Sequence, residues 1–328
     1  MIVDPERQLL ILTAALLLDR IVGDPDWLWR RLPHPVVILG KAIGSADKRF
    51  NRDGASPASR RFAGRLVIGT LLVASAVTGV VLALLFAHAS VVGVLLEMIV
   101  VAVLLAQKSL SDHVQAVAIG YRTDGLEGAR FAVSMIVGRD PATLDEKGVA
   151  RAAIESLAEN FSDGTVAPAF WYALLGLPGI FAYKMLNTAD SMIGHRSVRH
   201  IDFGRASAIA DDWANWPAAR LSAVLIAAGA FVQAGLSAAR RALKVALMDH
   251  GLHRSPNAGW PESAMAGALD IALAGPRTYG GERVAEPMLN AAGRTCTMPD
   301  IDRAIRVYGS ACSALLVLTV LLALTVRA

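Results

Sequence analysis

Hydrophobic and polar positions along this chain come in long blocks. Apolar runs at 9–18, 66–87, 91–105, 166–186, 217–235 and 310–326 are separated by polar stretches at 23–65, 107–165, 187–216 and 237–307. About 20 apolar residues in a helix cross the roughly 30 Å hydrocarbon layer of a bilayer. The run 310–326 predicts a final span, and 66–87 and 91–105 pair as a membrane hairpin. The run 9–18 ends in Asp19-Arg20 and lacks a charged leader or a small-residue cleavage site, so it reads as a short span or interfacial helix, not a signal peptide. The expected fold is all-α: a polytopic helical membrane protein, one integral domain over 1–328, with amphipathic cytoplasmic helices and room for a re-entrant segment.

The punctuation refines this picture. Asp124 predicts a helix start, with the helix running to about Val137 before Gly138, and Thr143-Leu-Asp-Glu146 is a capping-box pattern opening a helix that carries Glu155 and Glu159. Gly176-Leu-Pro-Gly179 interrupts the run 166–186, so a re-entrant hairpin or broken helix competes with a plain span. All four polar stretches carry Lys and Arg, in excess over acids at 23–65 and 237–307, and are expected on the cytoplasmic side; keeping them there requires 166–186 or 217–235 to be re-entrant.

Composition agrees. The chain has 328 residues, 54% hydrophobic and 18% charged, which excludes an ordinary soluble enzyme of this size. The net charge of +4 is small and its basic residues fall between apolar runs, a membrane-loop pattern and not a nucleic-acid surface. Cys296 and Cys312 have neither metal-ligand nor redox spacing.

Chemistry concentrates between Gly148 and Arg220. Glu155, Glu159 and Asp163 are spaced to bring carboxylates together at a helix end, as a general base or a Mg²⁺ site requires; the alternative is a solvated face with Arg151 paired to Glu155. Lys184, Asn187, Asp190 and Ser191 recur at helical spacing with Arg196 just beyond, a set suited to a phosphate and its metal, or else a helix end with snorkelling cations. Asp211-Asp212 offers paired carboxylates for Mg²⁺ or an acidic helix start. His34 is held between Pro33 and Pro35, and Trp213, Trp216 and Trp260 suit an interfacial belt. The residues alone lead to a membrane enzyme with a carboxylate-rich, Mg²⁺-dependent phosphate site.

The strings GDPDWLWRRLPHPVVILG, LEGARFAVSMIVGRD, LDEKGVARAAIESLAENFSDGTVAPAFWYALLGLPG, AYKMLNTADSMIGHR, FGRASAIADDWANWPAARL and SPNAGWPESAMAGAL, in that order, resemble the CobD/CbiB family of cobalamin biosynthesis, adenosylcobinamide-phosphate synthase. Ala189 and the DDWANWP block depart slightly from the expected pattern. The resemblance implies an ATP- and Mg²⁺-dependent ligase joining adenosylcobyric acid to (R)-1-amino-2-propanol or its O-phosphate, through an acyl phosphate. From side-chain chemistry at the matching motifs, Glu155, Glu159, Asp163 and Lys184 are expected to be catalytic, and Asn187, Ser191 and Arg196 to bind phosphate. Asp190, Asp211 and Asp212 are expected to hold the metal, and His34, Asn257, Trp260 and Glu262 to contact corrinoid or amine. The resemblance also implies the inner (cytoplasmic) membrane, multi-pass, with the active site facing the cytoplasm, in contact with lipid and with copies of itself or other cobalamin-pathway membrane enzymes. A Mg²⁺-dependent membrane prenyl or alcohol-phosphate transferase, and a transporter using the break at 176–179, are the rival classes.

Overall fold

The computed structural model describes residues 4–137, 141–195, 197–279, 282–284 and 286–327. In order these form α1 (Pro5–Val22), α2 (Asp26–Trp29), α3 (Pro35–Phe50), α4 (Pro57–His88), α5 (Ser90–Leu104), α6 (Gln107–Ser134), α7 (Glu146–Asn160), a π-helical turn (Phe161–Val166), α8 (Ala167–Leu175), α9 (Leu177–Ile193), α10 (Arg205–Asp249) and α11 (Gly259–Leu269). Short strands β1 (Ile271–Ala274), β2 (Arg277–Tyr279), β3 (Glu282–Val284), β4 (Met288–Leu289) and β5 (Arg294–Thr295) follow, then α12 (Pro299–Arg327). Among the described residues four helices are long and apolar enough to cross a membrane: Pro57–His88, Ser90–Ser134, Arg205–Leu252 and Pro299–Arg327. The all-α polytopic class expected from the hydropathy blocks is the class found. Two compact units interleave along the chain: Met1–Ala106 with Ala167–Asn215 and Thr319–Ala328, and Gln107–Val166 with Trp216–Leu318.

In the first unit, α3, α4 and α9 enclose a core of Ile43, Val67, Ile68, Met185, Leu186, Ala189, Ile193 and Phe203. Ala189, where a larger apolar residue was expected, is fully buried in it. The outer faces of α4 and α5 stay exposed and apolar, with Val73, Val77, Leu85, Val91, Val92 and Leu95 among them. An apolar surface of this extent on spanning helices is covered by lipid.

The segment 166–186 is a helical hairpin and not one continuous span. Its first arm, α8, has nine residues and rises only about 14 Å, less than half the hydrocarbon layer. Gly176 ends it at φ 67°, and Pro178 fits the first turn of α9, where no backbone N–H is needed. The arms close because Gly179 carries no side chain: a Cβ there would lie 2.3 Å from the Trp171 carbonyl oxygen. The tip rests on α4 at Gly79, where a Cβ would lie 2.6 Å from Pro178 N. Gly79 lies in the apolar part of α4, about 14 Å along the helix from its end at His88. There Tyr172 donates to Glu97 Oε1 at 2.9 Å and Arg7 donates to Glu97 Oε2 at 2.6 Å, satisfying a carboxylate buried on an apolar helix.

In the second unit the helix starting near Asp124 is the latter part of α6, which breaks at Asp124 and Gly125, the latter at φ 65°, and ends at Ser134, short of Val137; Gly138 lies outside the described residues. The cap of α7 is not Thr143, which falls in a preceding 3₁₀ turn, but Asp145, whose side chain accepts from Gly148 N at 2.8 Å. A carboxylate at this position satisfies an orphan N–H and also complements the helix dipole. The run 217–235 is not a separate element, because α10 is a 45-residue helix that tolerates Pro217 and turns at Gly235, φ 79°. Helix therefore fills much of the stretches 187–216 and 237–307. Here α10 meets α12 at Gly229, where a Cβ would lie 2.4 Å from the Val307 carbonyl oxygen, and α11 through Arg241 Nε, which donates to Gly267 O at 2.8 Å. β1 lies between β4, antiparallel, and β5, parallel, while β2 and β3 form an antiparallel pair.

Candidate functional site

Within the first unit, α9 and the start of α10 build a polar cluster on apolar backing. Tyr183 donates to Asn215 Oδ1 at 2.8 Å, and Asn215 Nδ2 donates to Asp211 Oδ2 at 2.8 Å. Asn187 also donates to Asp211, which lies within electrostatic reach of Asp190 and Asp212. The second oxygen of Asp211, Oδ1, is buried without a hydrogen-bond partner. Burial, followed by the Asp212 charge, pushes the Asp190 carboxyl above its ordinary range, with His195 opposing. Lys184 is buried, which sets it apart from a snorkelling cation. Ser191 is exposed and its hydroxyl donates to the Asn187 carbonyl at 3.0 Å. Arg196 lies outside the described residues. Among the described residues no three His, Cys, Asp or Glu side chains are gathered as a metal cage.

In the second unit, Glu155, Glu159 and Asp163 do not share one environment. Glu155 is 3% exposed, and its Oε1 accepts from Ala274 N at 2.7 Å with Arg151 Nε at 4.0 Å, tying α7 to β1. Glu159 is exposed where α7 reaches the surface, and Asp163 is half-buried in the π-helical turn. At the start of α11, Asn257 and Glu262 are buried, and His253 Nε2 stands 3.5 Å from Glu262 Oε1. Trp260 stacks on His250 with ring centroids 4.0 Å apart and planes at 15°. The Arg220 guanidinium lies 4.9 Å from the Trp260 centroid and 4.0 Å from that of Trp216. Gly259 permits the stack, since a Cβ there would fall 2.2 Å from the His250 carbonyl oxygen.

The model of the family described as CobD/Cbib protein matches residues 12–308. This chain belongs to the CobD/CbiB family. Proteins named "Cobalamin biosynthesis protein CobD" are its relatives: one from Sinorhizobium sp is 64% identical over 94% of this chain and 96% of its own length. That of Rhizobium meliloti strain 1021 is 62% identical over 94% of each chain, and that of Brucella suis biovar 1 is 55% identical over 94% of each. No solved structure matches.

In this CobD/CbiB chain His34 has a structural task. Its Nδ1 accepts from Val36 N at 3.2 Å, capping α3, while its ring meets Trp29 edge-on at 4.5 Å and Nε2 faces Asp24 at 3.5 Å. Trp213 and Trp216 are exposed, whereas Trp260, expected with them in an interfacial belt, is half-buried against His250. Sequence reasoning missed Tyr183, Asn215, Arg220 and His250. The spacing of Asp211 and Asn215, and of Trp216 and Arg220, each four apart on a helix, is the signal that could have pointed to two of them.

Proposed function

We propose that this protein acts in cobalamin biosynthesis as an ATP- and Mg²⁺-dependent ligase, forming an amide between a propionate of adenosylcobyric acid and (R)-1-amino-2-propanol or its O-phosphate. Its relatives' shared name supports the pathway. The observation that carries the chemistry is the Asp211 cluster: an orphaned carboxylate oxygen, buried, with Asp190 and Asp212 in reach and two amides holding it in place.

These donors fit Mg²⁺, a hard cation that commonly takes one or two carboxylates and completes its shell with water and substrate phosphate, so a three-acid cage is not required. Asp190, Asp211 and Asp212 would hold it, where it would neutralise charge on the transferring phosphoryl group. Lys184 and Asn187 bind and orient the γ-phosphate of ATP while a propionate oxygen displaces ADP, leaving an acyl phosphate. The amine nitrogen then forms the C–N bond, inorganic phosphate leaves, and the amine proton passes to a carboxylate, Glu159 or Asp163 being the more solvent-accessible acceptors. Glu155, bound to Ala274 N, positions that segment. Asn257, Trp260 and Glu262 contact corrinoid or amine. The reaction takes place at the inner membrane, on its cytoplasmic side.

Purified protein given adenosylcobyric acid, ATP, Mg²⁺ and either amine should yield a corrinoid heavier by the amine less water, with one ADP released per amide. Absence of that product with both amines overturns the assignment. A lipid-phosphate transferase is the second reading, favoured by an apolar cavity of about 270 Å³ beside Tyr183, lined by Leu72, Trp171, Pro178 and Leu186; ATP-independent transfer to a lipid would establish it.

A further inference from the structure

Arg220 is a charge in an unusual position. It lies on an apolar helix, half-buried, with its guanidinium carbon over the rings of Trp216 and Trp260, and among the described residues no carboxylate pairs with it. Its Nη1 donates to the Trp216 carbonyl oxygen at 2.7 Å, four residues back. Taking an arginine out of water without a counter-charge is costly, and such residues in apolar helices are kept where they bind something. Two indole faces replace part of the lost hydration by cation–π attraction and also fix the plane of the fork, leaving further N–H donors unspent.

His250 stacks on Trp260 and is within electrostatic reach of Arg220. Gly259 brings the carbonyl of His250 against α11, so the histidine and the tryptophan are locked in place. A planar, oriented guanidinium with a histidine at its side and no acid of its own matches a phosphate monoester, which a fork of parallel donors engages two oxygens at a time.

We infer that Arg220, framed by Trp216, Trp260 and His250, binds the phosphate of a phosphorylated amine substrate. This rests on the ligase reading above for the identity of the amine. It makes Arg220 the residue by which the enzyme distinguishes aminopropanol O-phosphate from free aminopropanol.

The test uses the full-length protein in phosphatidylcholine nanodiscs, titrated calorimetrically with aminopropanol O-phosphate, aminopropanol and ATP, as wild type, Arg220→Gln and Arg220→Lys. Arg220→Gln should weaken aminopropanol O-phosphate binding at least about tenfold, the scale of one charge-assisted contact. Arg220→Lys, which keeps the charge and loses the planar fork, should fall between, and in the amide-forming assay the preference for the phosphorylated over the free amine should shrink by the same factor. Equal binding by all three proteins overturns the inference, as does a loss confined to ATP. Wild-type binding abolished by adding phosphatidylglycerol to the nanodiscs would instead make a lipid phosphate the occupant and overturn it too. If Arg220-dependent binding is seen without any amide product, the phosphate site stands and the ligase reading fails.

Discussion

The hydroxyl of Tyr183 donates to the side-chain carbonyl of Asn215 at 2.8 Å, joining α9 to α10. This bond decides which way the Asn215 amide points. With its oxygen occupied, the nitrogen faces Asp211 and donates to Oδ2, leaving Oδ1 as the orphaned acceptor.

Tyr183→Phe should therefore lower kcat for ligation by about tenfold, the effect of one lost neutral hydrogen bond at a reacting group. Asn215→Leu, which strips Asp211 Oδ2 of its donor, should cost more. Steady-state kinetics check both, and wild-type kcat in Asn215→Leu would show that this hydrogen-bond chain does not position Asp211.

Asp190→Asn should abolish activity and stabilise the fold. Burial and the Asp212 charge raise the Asp190 carboxyl above its ordinary value of 3.8, so ionising it opposes folding. For an acid whose folded pKa is raised, the cost is absent below the unfolded pKa and complete above the folded one. The gain in Tm on Asp190→Asn should thus grow as pH rises above 3.8 and vanish as pH falls toward it. A Tm difference independent of pH would contradict this.

The seat of the α8–α9 hairpin is testable with two glycines on one helix. Gly79→Ala pushes a Cβ to within 2.6 Å of Pro178, whereas Gly69→Ala meets nothing within 4 Å. The first should destabilise by about 2 kcal/mol through overpacking, and the second should be neutral or slightly stabilising. Thermal unfolding in detergent measures the contrast; equal effects would mean the tip does not rest on α4.

Removing the carboxylate at that tip should also be severe. Glu97 has a 5% exposed side chain that accepts from both Arg7 and Tyr172, so Glu97→Leu leaves two donors without their acceptor. A loss of about 3 kcal/mol is expected. A Tm within a degree of wild type would show the pair to be dispensable.

Cys296 offers a check on the second unit. Burial raises its thiol to about 12, Asp300 and Glu155 adding to the shift while Arg294 and Arg151 oppose it. With so little thiolate at pH 8, alkylation by iodoacetamide should be far slower than for a free thiol and should accelerate on unfolding. Mass spectrometry of the labelled peptide reads it directly, and rapid labelling of folded protein would refute the buried placement.

The one-dimensional pattern of this chain was enough to determine the helical membrane class and the break near Gly176. It also located the polar residues of α9 and the paired acids at Asp211. Those features depend on neighbours within a few residues, through hydropathy, helical spacing and backbone restriction. Glu155 and Glu159 share an i, i+4 spacing, yet only the strand packed against α7 made one a buried acceptor and left the other exposed. Only long-range packing turned 166–186 back on α4, joined Tyr183 to Asn215 and brought His250 to Trp260, since burial and partner choice are set by segments distant in sequence.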